Sequence, residues 1–261
     1  MFNRVRLKTD DEIELIKESS LLVGKTLAEI AKAIRPGVPL FYLDKIGEEF
    51  IRDHGAIPSF KGYEGYPAAI CLSLNDVVVH GIPDHQVLEE GDILSVDCGV
   101  YKNGFHGDYA YTFAVGEVSQ EKKLLMERTK EALYRAIKVA VKGKTVGDIG
   151  YTVQSYVEQF GYGVVRELCG HGIGRNLHEK PDVLNYGRPS TKEMLREGMV
   201  ICIEPMITNR SPKVYTEKDN WTIRTVDGQP AAHYEHQIAI TKNGTEVLST
   251  YKYIEEVINK I

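Results

Sequence analysis

Four acidic residues stand where an acid is costly. Asp97 follows the apolar run Ile93-Leu94-Ser95-Val96, and Glu204 follows Val200-Ile201-Cys202-Ile203. Asp108 precedes the stretch from Tyr109 to Val115, and Glu235 stands just before Gln237-Ile238-Ala239-Ile240. Four carboxylates in a protein interior cannot ionise together without compensation, because desolvation and mutual repulsion both oppose the charged form. Cations are the usual compensation, and two divalent ions would balance the four charges. His171, between Gly170 and Gly172, adds one imidazole to the set. Oxygen-rich ligation suits Mn, Fe or Co ions better than a thiolate zinc site, with Zn retained as an alternative. Carboxylates shared by two metals about 3.5–4 Å apart make a hydrolytic centre. For any one of these acids, a solvated strand-end carboxylate is the simpler reading. For all four together it is not.

A weak internal repeat strengthens the grouping. Leu88-Glu89-Glu90-Gly91 feeds a strand ending on Asp97, as Leu195-Arg196-Glu197-Gly198 feeds one ending on Glu204. His80-Gly81-Ile82 matches His171-Gly172-Ile173, and His106-Gly107-Asp108 resembles His233-Tyr234-Glu235. The order is the same in both series, each match falls at an ionisable residue, and the offsets differ. That pattern fits two related halves with unequal loops. Asp97 and Asp108 are expected at the ends of two strands joined by an Asn103-Gly104 turn, where residues at the open end of a hairpin face each other. Other signals are weaker. Gly170-x-Gly172-x-Gly174 lacks the Lys-Ser/Thr of a phosphate loop and reads as room for backbone to crowd against the acids. His106, His233 and His236 flank the acids either as outer supports of a metal site or as ordinary satisfied polar groups. His54 and His85 read as surface residues. Tyr63 and Tyr66 sit in a Gly-rich loop, where aromatics often rim a pocket.

The elements that must position these residues alternate between helical and strand patterns. Thr9 with Glu12 forms a capping box, followed by Ile13, Ile16, Val23, Leu27, Ile30 and Ile34 at helical spacing until Pro36-Gly37. A second helix is expected over 39–53 and a loop over 55–67. Strands are expected near 68–74, 77–80, 92–101 and 108–115. Ser119 caps a helix over 120–141, and another covers 146–160. Strands near 163–169, 199–209, 221–226, 231–241 and 246–250 precede a short C-terminal helix. The expectation is one α+β catalytic domain over 1–261, with related halves at about 10–115 and 116–250.

Composition sets the frame. The 261 residues carry 32 Lys+Arg against 37 Asp+Glu, a formal charge of −5. That balance gives no reason to bind nucleic acid or an anionic membrane. An apolar share of 43% with 26% charged residues is ordinary for a globular domain and argues against disorder. Cys71, Cys98, Cys169 and Cys202 are far apart among apolar neighbours, which reads as reduced thiols packing as small hydrophobes. The N-terminus is too charged for a signal peptide, and no apolar run reaches spanning length, so a cytoplasmic location is expected.

Several motifs together resemble the type I methionine aminopeptidase family. They are Gly62-Tyr63-x-Gly65-Tyr66-Pro67, Asn75-x-Val77-x-x-His80-Gly81-Ile82-Pro83 and Gly104-Phe105-His106-Gly107-Asp108. Further on come Cys169-Gly170-His171-Gly172-Ile173-Gly174-x-x-x-His178-Glu179-x-Pro181, Glu204-Pro205 and Tyr234-Glu235-His236. The resemblance covers almost the whole chain. It implies the pita-bread fold, two pseudo-symmetric αβ halves around a dinuclear metal site, and removal of N-terminal methionine. By the resemblance, Asp97 holds one metal, His171 and Glu204 the other, and Asp108 and Glu235 bridge both. Glu204 then handles the proton of a bridging water whose pKa two cations lower. His178 stabilises the carbonyl oxygen as it gains charge, and His80 serves the departing peptide nitrogen. The substrate's free amine binds near Asp97.

The same resemblance lines the methionine pocket with Phe60, Tyr63, Tyr66, Cys71, Leu177 and Trp221, apolar walls suited to a flexible thioether. It adds a monovalent cation (Na or K) at Asn75, the Val77 carbonyl and the Ala231 carbonyl. It implies nascent polypeptides as substrate, contact with the ribosome and a monomeric enzyme. Neither a Cys/His-rich zinc-binding N-terminal extension nor the long second-half insertion that marks type II enzymes is expected, which fits a compact bacterial type. Xaa-Pro peptidases of the same fold carry an extra N-terminal domain for which 261 residues leave no room. A non-catalytic relative would have lost ligands that are present here. A two-metal phosphoesterase would need a basic clamp beside the acids, and none is present. Methionine should be cleaved only when the next residue is small, so the protein's own Phe2 should retain Met1. Mass spectrometry of peptides varied at the second position checks this: Met-Ala is cut and Met-Phe is spared, and equal cleavage refutes it.

Overall fold

In the computed structural model the chain is described over residues 4–260; Met1 and Phe2, which carry the expectation about the protein's own methionine, lie outside them. The first helix, α1 (Asp10–Ala31), starts where the capping box places it. Thr9 Oγ1 accepts the Glu12 amide at 3.3 Å, and Glu12 Oε2 accepts the Thr9 amide at 3.2 Å. Its apolar stripe puts Ile16, Val23, Leu27 and Ile30 wholly inside the core. The helix stops at Ala31, short of the Pro36-Gly37 boundary, because Lys32 already forms the cap. Then α2 (Leu40–Asp53) leads into β1 (Ile57–Pro58), β2 (Ile70–Leu74) and β3 (Val77–Val79). A ten-residue pair, β4 (Ile93–Lys102) and β5 (Phe105–Ala114), turns at Asn103-Gly104, both with positive φ.

The second half repeats the plan with two helices, α3 (Gln120–Val139) and α4 (Val146–Glu158), then shorter strands. These are β6 (Gly163–Val164), β7 (Gly170–Gly172), β8 (Glu179–Val183), β9 (Val200–Ile203), β10 (Met206–Thr208), β11 (Val214–Thr216) and β12 (Ile223–Thr225). After them come β13 (Ala231–His233), β14 (His236–Thr241), β15 (Gly244–Val247) and a closing helix, α5 (Lys252–Ile258). In the first half β4 is flanked by β1 and β2 and pairs β5 along its length. In the second half the order β15-β14-β9-β7-β8 forms a five-stranded sheet. Helix α1 lies directly on the β4–β5 hairpin: Ser19 Oγ donates to the carbonyls of Lys102 (3.2 Å) and Phe105 (3.1 Å).

Three sequence expectations are corrected. Asp97 and Asp108 are mid-strand rather than at the open end of the hairpin. Strand β4 continues to Lys102 because β2 and β1 pair its other edge, which satisfies the backbone well past the apolar run. The expected strands 199–209 and 231–241 are each broken in two. Pro205 has no N–H to give the ladder, so pairing stops at Ile203 and resumes at Met206. The partner strand breaks opposite, at Tyr234-Glu235. The expected strand 163–169 keeps only Gly163–Val164, and β8 was missed because Pro181 and its charged neighbours read against a strand.

Gly107 marks where α1 lies closest on the hairpin. A Cβ there would run into the backbone of Ser19 and Ser20 on α1, which cannot move aside as a side chain could. Gly107→Ala should therefore lower the Tm by about 5 °C or more, from overpacking against a rigid helix. Calorimetry of the two proteins checks it, and an unchanged Tm contradicts the packing.

Candidate metal centre

Asp97 lies opposite Ala110 in the β4–β5 ladder, and Asp108 lies opposite Gly99. The two acids are thus diagonal neighbours on one face, close enough for their side chains to meet. The other two acids come from the broken strands. Glu204 follows β9 and Glu235 precedes β14, so each sits where the ladder opens. The break is held in place by hydrogen bonds that tie the halves together. The Glu235 amide donates to Ala110 O (3.1 Å) and to Tyr251 Oη (3.0 Å), and Tyr251 Oη approaches Glu235 O at 2.7 Å. Thr112 Oγ1 donates to His233 O (2.7 Å) and accepts the His233 amide (3.0 Å). Asn185 Nδ2 donates to Glu204 O at 2.9 Å.

His171, on β7, points its Nε2 at Glu204 Oε1 (3.6 Å) and Asp108 Oδ2 (3.8 Å). Its Nδ1 lies 2.9 Å from Gly172 O. A carbonyl can only accept, so Nδ1 carries the proton, and burial holds the ring neutral with a pKa down to about 3. The Nε2 lone pair is therefore free and faces the acids, the arrangement a metal ligand requires. Burial also raises the carboxyls. Asp97 is pushed to about 7. Asp108 is pushed well up by desolvation and then by the Glu235 charge, and Glu235 by desolvation and then by Glu204. Glu204 rises by desolvation and then by Asp97.

These groups form a donor set without enough donors of protons around it. Asp97 Oδ1, Asp108 Oδ1, Glu235 Oε1 and His233 Nε2 are buried with no hydrogen-bond partner. Ligand atoms of Asp97, Asp108 and Glu235 lie within 4.8 Å of one another, and so do those of Glu204, His233 and Glu235. Glu235 belongs to both groups, which suits a carboxylate shared by two ions. Buried oxygens left unpaired this close together fit divalent cations and little else. His233, which the sequence left among the flanking residues, faces Glu204 Oε2 at 3.8 Å.

A cavity of about 690 Å³ opens over the cluster. All five expected ligands line it, together with His80 and His178. So do the six expected pocket residues Phe60, Tyr63, Tyr66, Cys71, Leu177 and Trp221. Cys71 pairs directly with Asp97 across β2 and β4, which sets the apolar wall beside an acid. Phe60 reaches that wall because Gly99 has no side chain; a Cβ there would lie 2.7 Å from its ring. Tyr66 and Trp221 meet edge to face at 5.2 Å. His80 sits in the left-handed region at φ 58°, and burial lowers its pKa to about 4. His178 Nδ1 is 2.9 Å from Tyr63 Oη, and its ring stands edge-on to His171 at 4.3 Å. Asn75 and Ala231 lie outside this cavity, joined by a hydrogen bond from the Ala231 amide to Asn75 O at 2.9 Å. Asn75 Oδ1 accepts from Lys122 Nζ at 2.9 Å.

Sequence reasoning missed Tyr251, Thr112 and Asn185. None stands near a recognisable motif, and their roles depend on partners between 16 and 141 positions away. His233, named in the sequence only as a flanking residue, belongs in the structure to a candidate ligand group with Glu204 and Glu235.

The arrangement defines a metallohydrolase, and comparison with known proteins gives the family. Residues 14–242 match metallopeptidase family M24. The chain belongs to that family, and within it groups with the methionine aminopeptidases. The methionine aminopeptidase of Clostridium acetobutylicum is 50% identical over 244 residues, 93% of this chain and 98% of that protein. Methionine aminopeptidase 1 of Bacillus subtilis is 46% identical over 242 residues, 93% and 98% of the two chains. The crystal structure of methionine aminopeptidase from Rickettsia prowazekii superposes with a TM-score of 0.93 at 39% identity, covering 95% of this chain and all of that one. The fold is accordingly the pita-bread α+β fold, the chain is a metallopeptidase, and it binds divalent metal.

The raised carboxyl groups give a pH prediction with a definite sign. Below about pH 7 Asp97 in the metal-free protein holds a proton that a cation must displace, whereas neutral His171 releases none. Metal affinity should rise with pH through that range and go on rising above it, because the carboxyls of Asp108, Glu204 and Glu235 are raised as well. Proton release per bound ion should shrink over the same interval. Calorimetry of Mn binding in buffers of different ionisation heat measures both, and a pH-independent affinity contradicts the assignment.

Proposed function

We propose that this chain removes the N-terminal methionine from nascent polypeptides whose second residue is small. One observation carries the reading: the buried acids and the apolar pocket are walls of one cavity, joined at the Asp97–Cys71 register pair. A thioether side chain in the pocket of Tyr66, Cys71 and Trp221 leaves the substrate's α-amine beside Asp97, whose negative charge attracts it. Only a chain terminus can bring a free amine there, so cleavage is limited to the first peptide bond.

Asp97 would hold one ion, His171 and Glu204 the other, and Asp108 and Glu235 would serve both. This is supported by the unpaired buried oxygens and by the free lone pair of His171. Bound divalent cations would supply Lewis-acid stabilisation of the carbonyl oxygen and a water of lowered pKa. Glu204 takes the proton from the attacking water. His178 donates from Nε2 to the carbonyl oxygen as charge builds there, with Nδ1 engaged by Tyr63. His80 hydrogen-bonds the peptide nitrogen or assists its protonation as it leaves. Burial keeps the His80 ring neutral.

The ions are Co, Mn, Fe or Zn, consistent with a donor set dominated by oxygen. A monovalent ion, Na or K, would be held by Asn75 and the carbonyls of Val77 and Ala231; the Ala231 amide donates to Asn75 O at 2.9 Å, so these residues are neighbours. We further read the enzyme as a cytoplasmic monomer that meets its substrates at the ribosome, with a single catalytic domain of related halves at about 10–115 and 116–250. No helix among the described residues is long and apolar enough to cross a membrane.

Two substitutions separate the roles. His178→Ala should lower kcat on Met-Ala peptides about a hundredfold or more, the scale of losing one oxyanion donor, with metal content unchanged. Asp108→Ala should lose metal, measured by elemental analysis of protein reconstituted with Mn. Retention of both metals and activity by Asp108→Ala overturns the bridging assignment. An Xaa-Pro peptide in the same panel should remain uncut.

A further inference from the structure

Lys8 is a buried cation that the proposed chemistry does not use. Its side chain is only 5% exposed, and that of its partner Glu179 is 4% exposed. Lys8 Nζ donates to Glu179 Oε2 at 2.9 Å and to Arg6 O at 3.1 Å, with the Arg6 guanidinium 4.0 Å from the other carboxylate oxygen. The two residues are 171 positions apart, and burying such a pair carries a desolvation cost that gives it little value as a general stabiliser. Its location is what distinguishes it. Glu179 directly follows His178 and opens β8, and Glu179 Oε1 accepts the amide of Asn176 at 3.2 Å.

Both ends of this tether are fixed. The Lys8 amide donates to Gly198 O at 2.7 Å, and the Gly198 amide donates to Ile240 O at 2.9 Å. Lys8 is thereby attached to the turn that feeds β9. Its stem passes over Gly174, where a Cβ would stand 2.6 Å from Lys8 Cε. Gly174 O in turn accepts the His106 amide at 2.9 Å. His178 stands in the bend just before β8, so holding the carboxylate of its covalent neighbour Glu179 on Lys8 fixes the backbone from which His178 reaches Tyr63 in the cavity.

We propose that the Lys8–Glu179 ion pair positions His178 for transition-state stabilisation, making Lys8 and Glu179 positioning residues of the reaction. The inference rests on the role given to His178 above. The pair fixes the loop from behind while Tyr63 fixes the imidazole from the front. Lys8 does not line the cavity, and Glu179 lines it with both carboxylate oxygens taken up by Lys8 and the Asn176 amide, so the effect of the pair runs through His178.

The test is a double-mutant cycle in kcat on a Met-Ala peptide with the Mn-loaded enzyme. Lys8→Met and Glu179→Gln, the latter keeping side-chain volume, should each lower kcat about tenfold or more while KM stays within about twofold, as expected for misplacing a group that acts in the transition state. Metal content should stay unchanged. In a His178→Ala background the same substitutions should cost nothing further, because the group they position is gone. Equal losses with and without His178, or an unchanged kcat in the Glu179→Gln variant, overturn the proposal. If Lys8→Met fails to fold, the Glu179→Gln arm decides alone. A His178→Ala enzyme of undiminished kcat would instead refute the role of His178, and the positioning proposal would fall with it.

Discussion

The structure is organised around an electrostatic conflict. Asp97, Asp108, Glu204 and Glu235 are brought together with His171 and His233 in a place where water cannot solvate them, and several of their atoms have no partner. A fold dominated by apolar burial would ordinarily avoid such a cluster, because an unpaired buried charge costs several kcal/mol. Metal binding turns that liability into the energetic reason for the site. The same desolvation that raises the carboxyl groups and depresses the imidazoles makes a bound cation's charge effective.

The frame is rigid where the conflict is greatest. On one side, a continuous hairpin whose β4 strand is paired on both edges presents two acids from its middle. On the other, Pro205 and the facing Tyr234-Glu235 break release two acids from the ladder, and Tyr251, Thr112 and Asn185 take over the hydrogen bonds lost there. The two halves therefore deliver the same chemical group by different means. Strand continuity does it in the first half and strand interruption in the second.

The pocket uses the same elements. Phe60, Tyr66, Cys71 and Leu177 belong to a small apolar cluster distinct from the main core, with Tyr63 and Trp221 packed against it. Substrate side chain and reacting bond are consequently referred to one set of strands, with little between them to flex. His178 stands in the bend between β7 and β8, outside strand pairing. The Lys8–Glu179 pair and the Tyr63 hydrogen bond lie on either side of it.

Much of this was legible in the sequence. The capping box at Thr9, the turn at Asn103-Gly104 and the amphipathic helices follow from local rules, since the residues that decide them are three or four positions apart. The acids stood out because an ionisable residue beside an apolar strand contradicts its context, and a contradiction repeated in both halves is visible without coordinates. The interruption at Glu204-Pro205, the diagonal placement of Asp97 and Asp108, and the supports from Tyr251, Thr112 and Lys8 were decided only by the tertiary structure. Each depends on which strand or loop lies alongside, and a chain does not record its distant neighbours in its local pattern. The sequence determined which charges had to be compensated; packing decided which atoms face one another to do it.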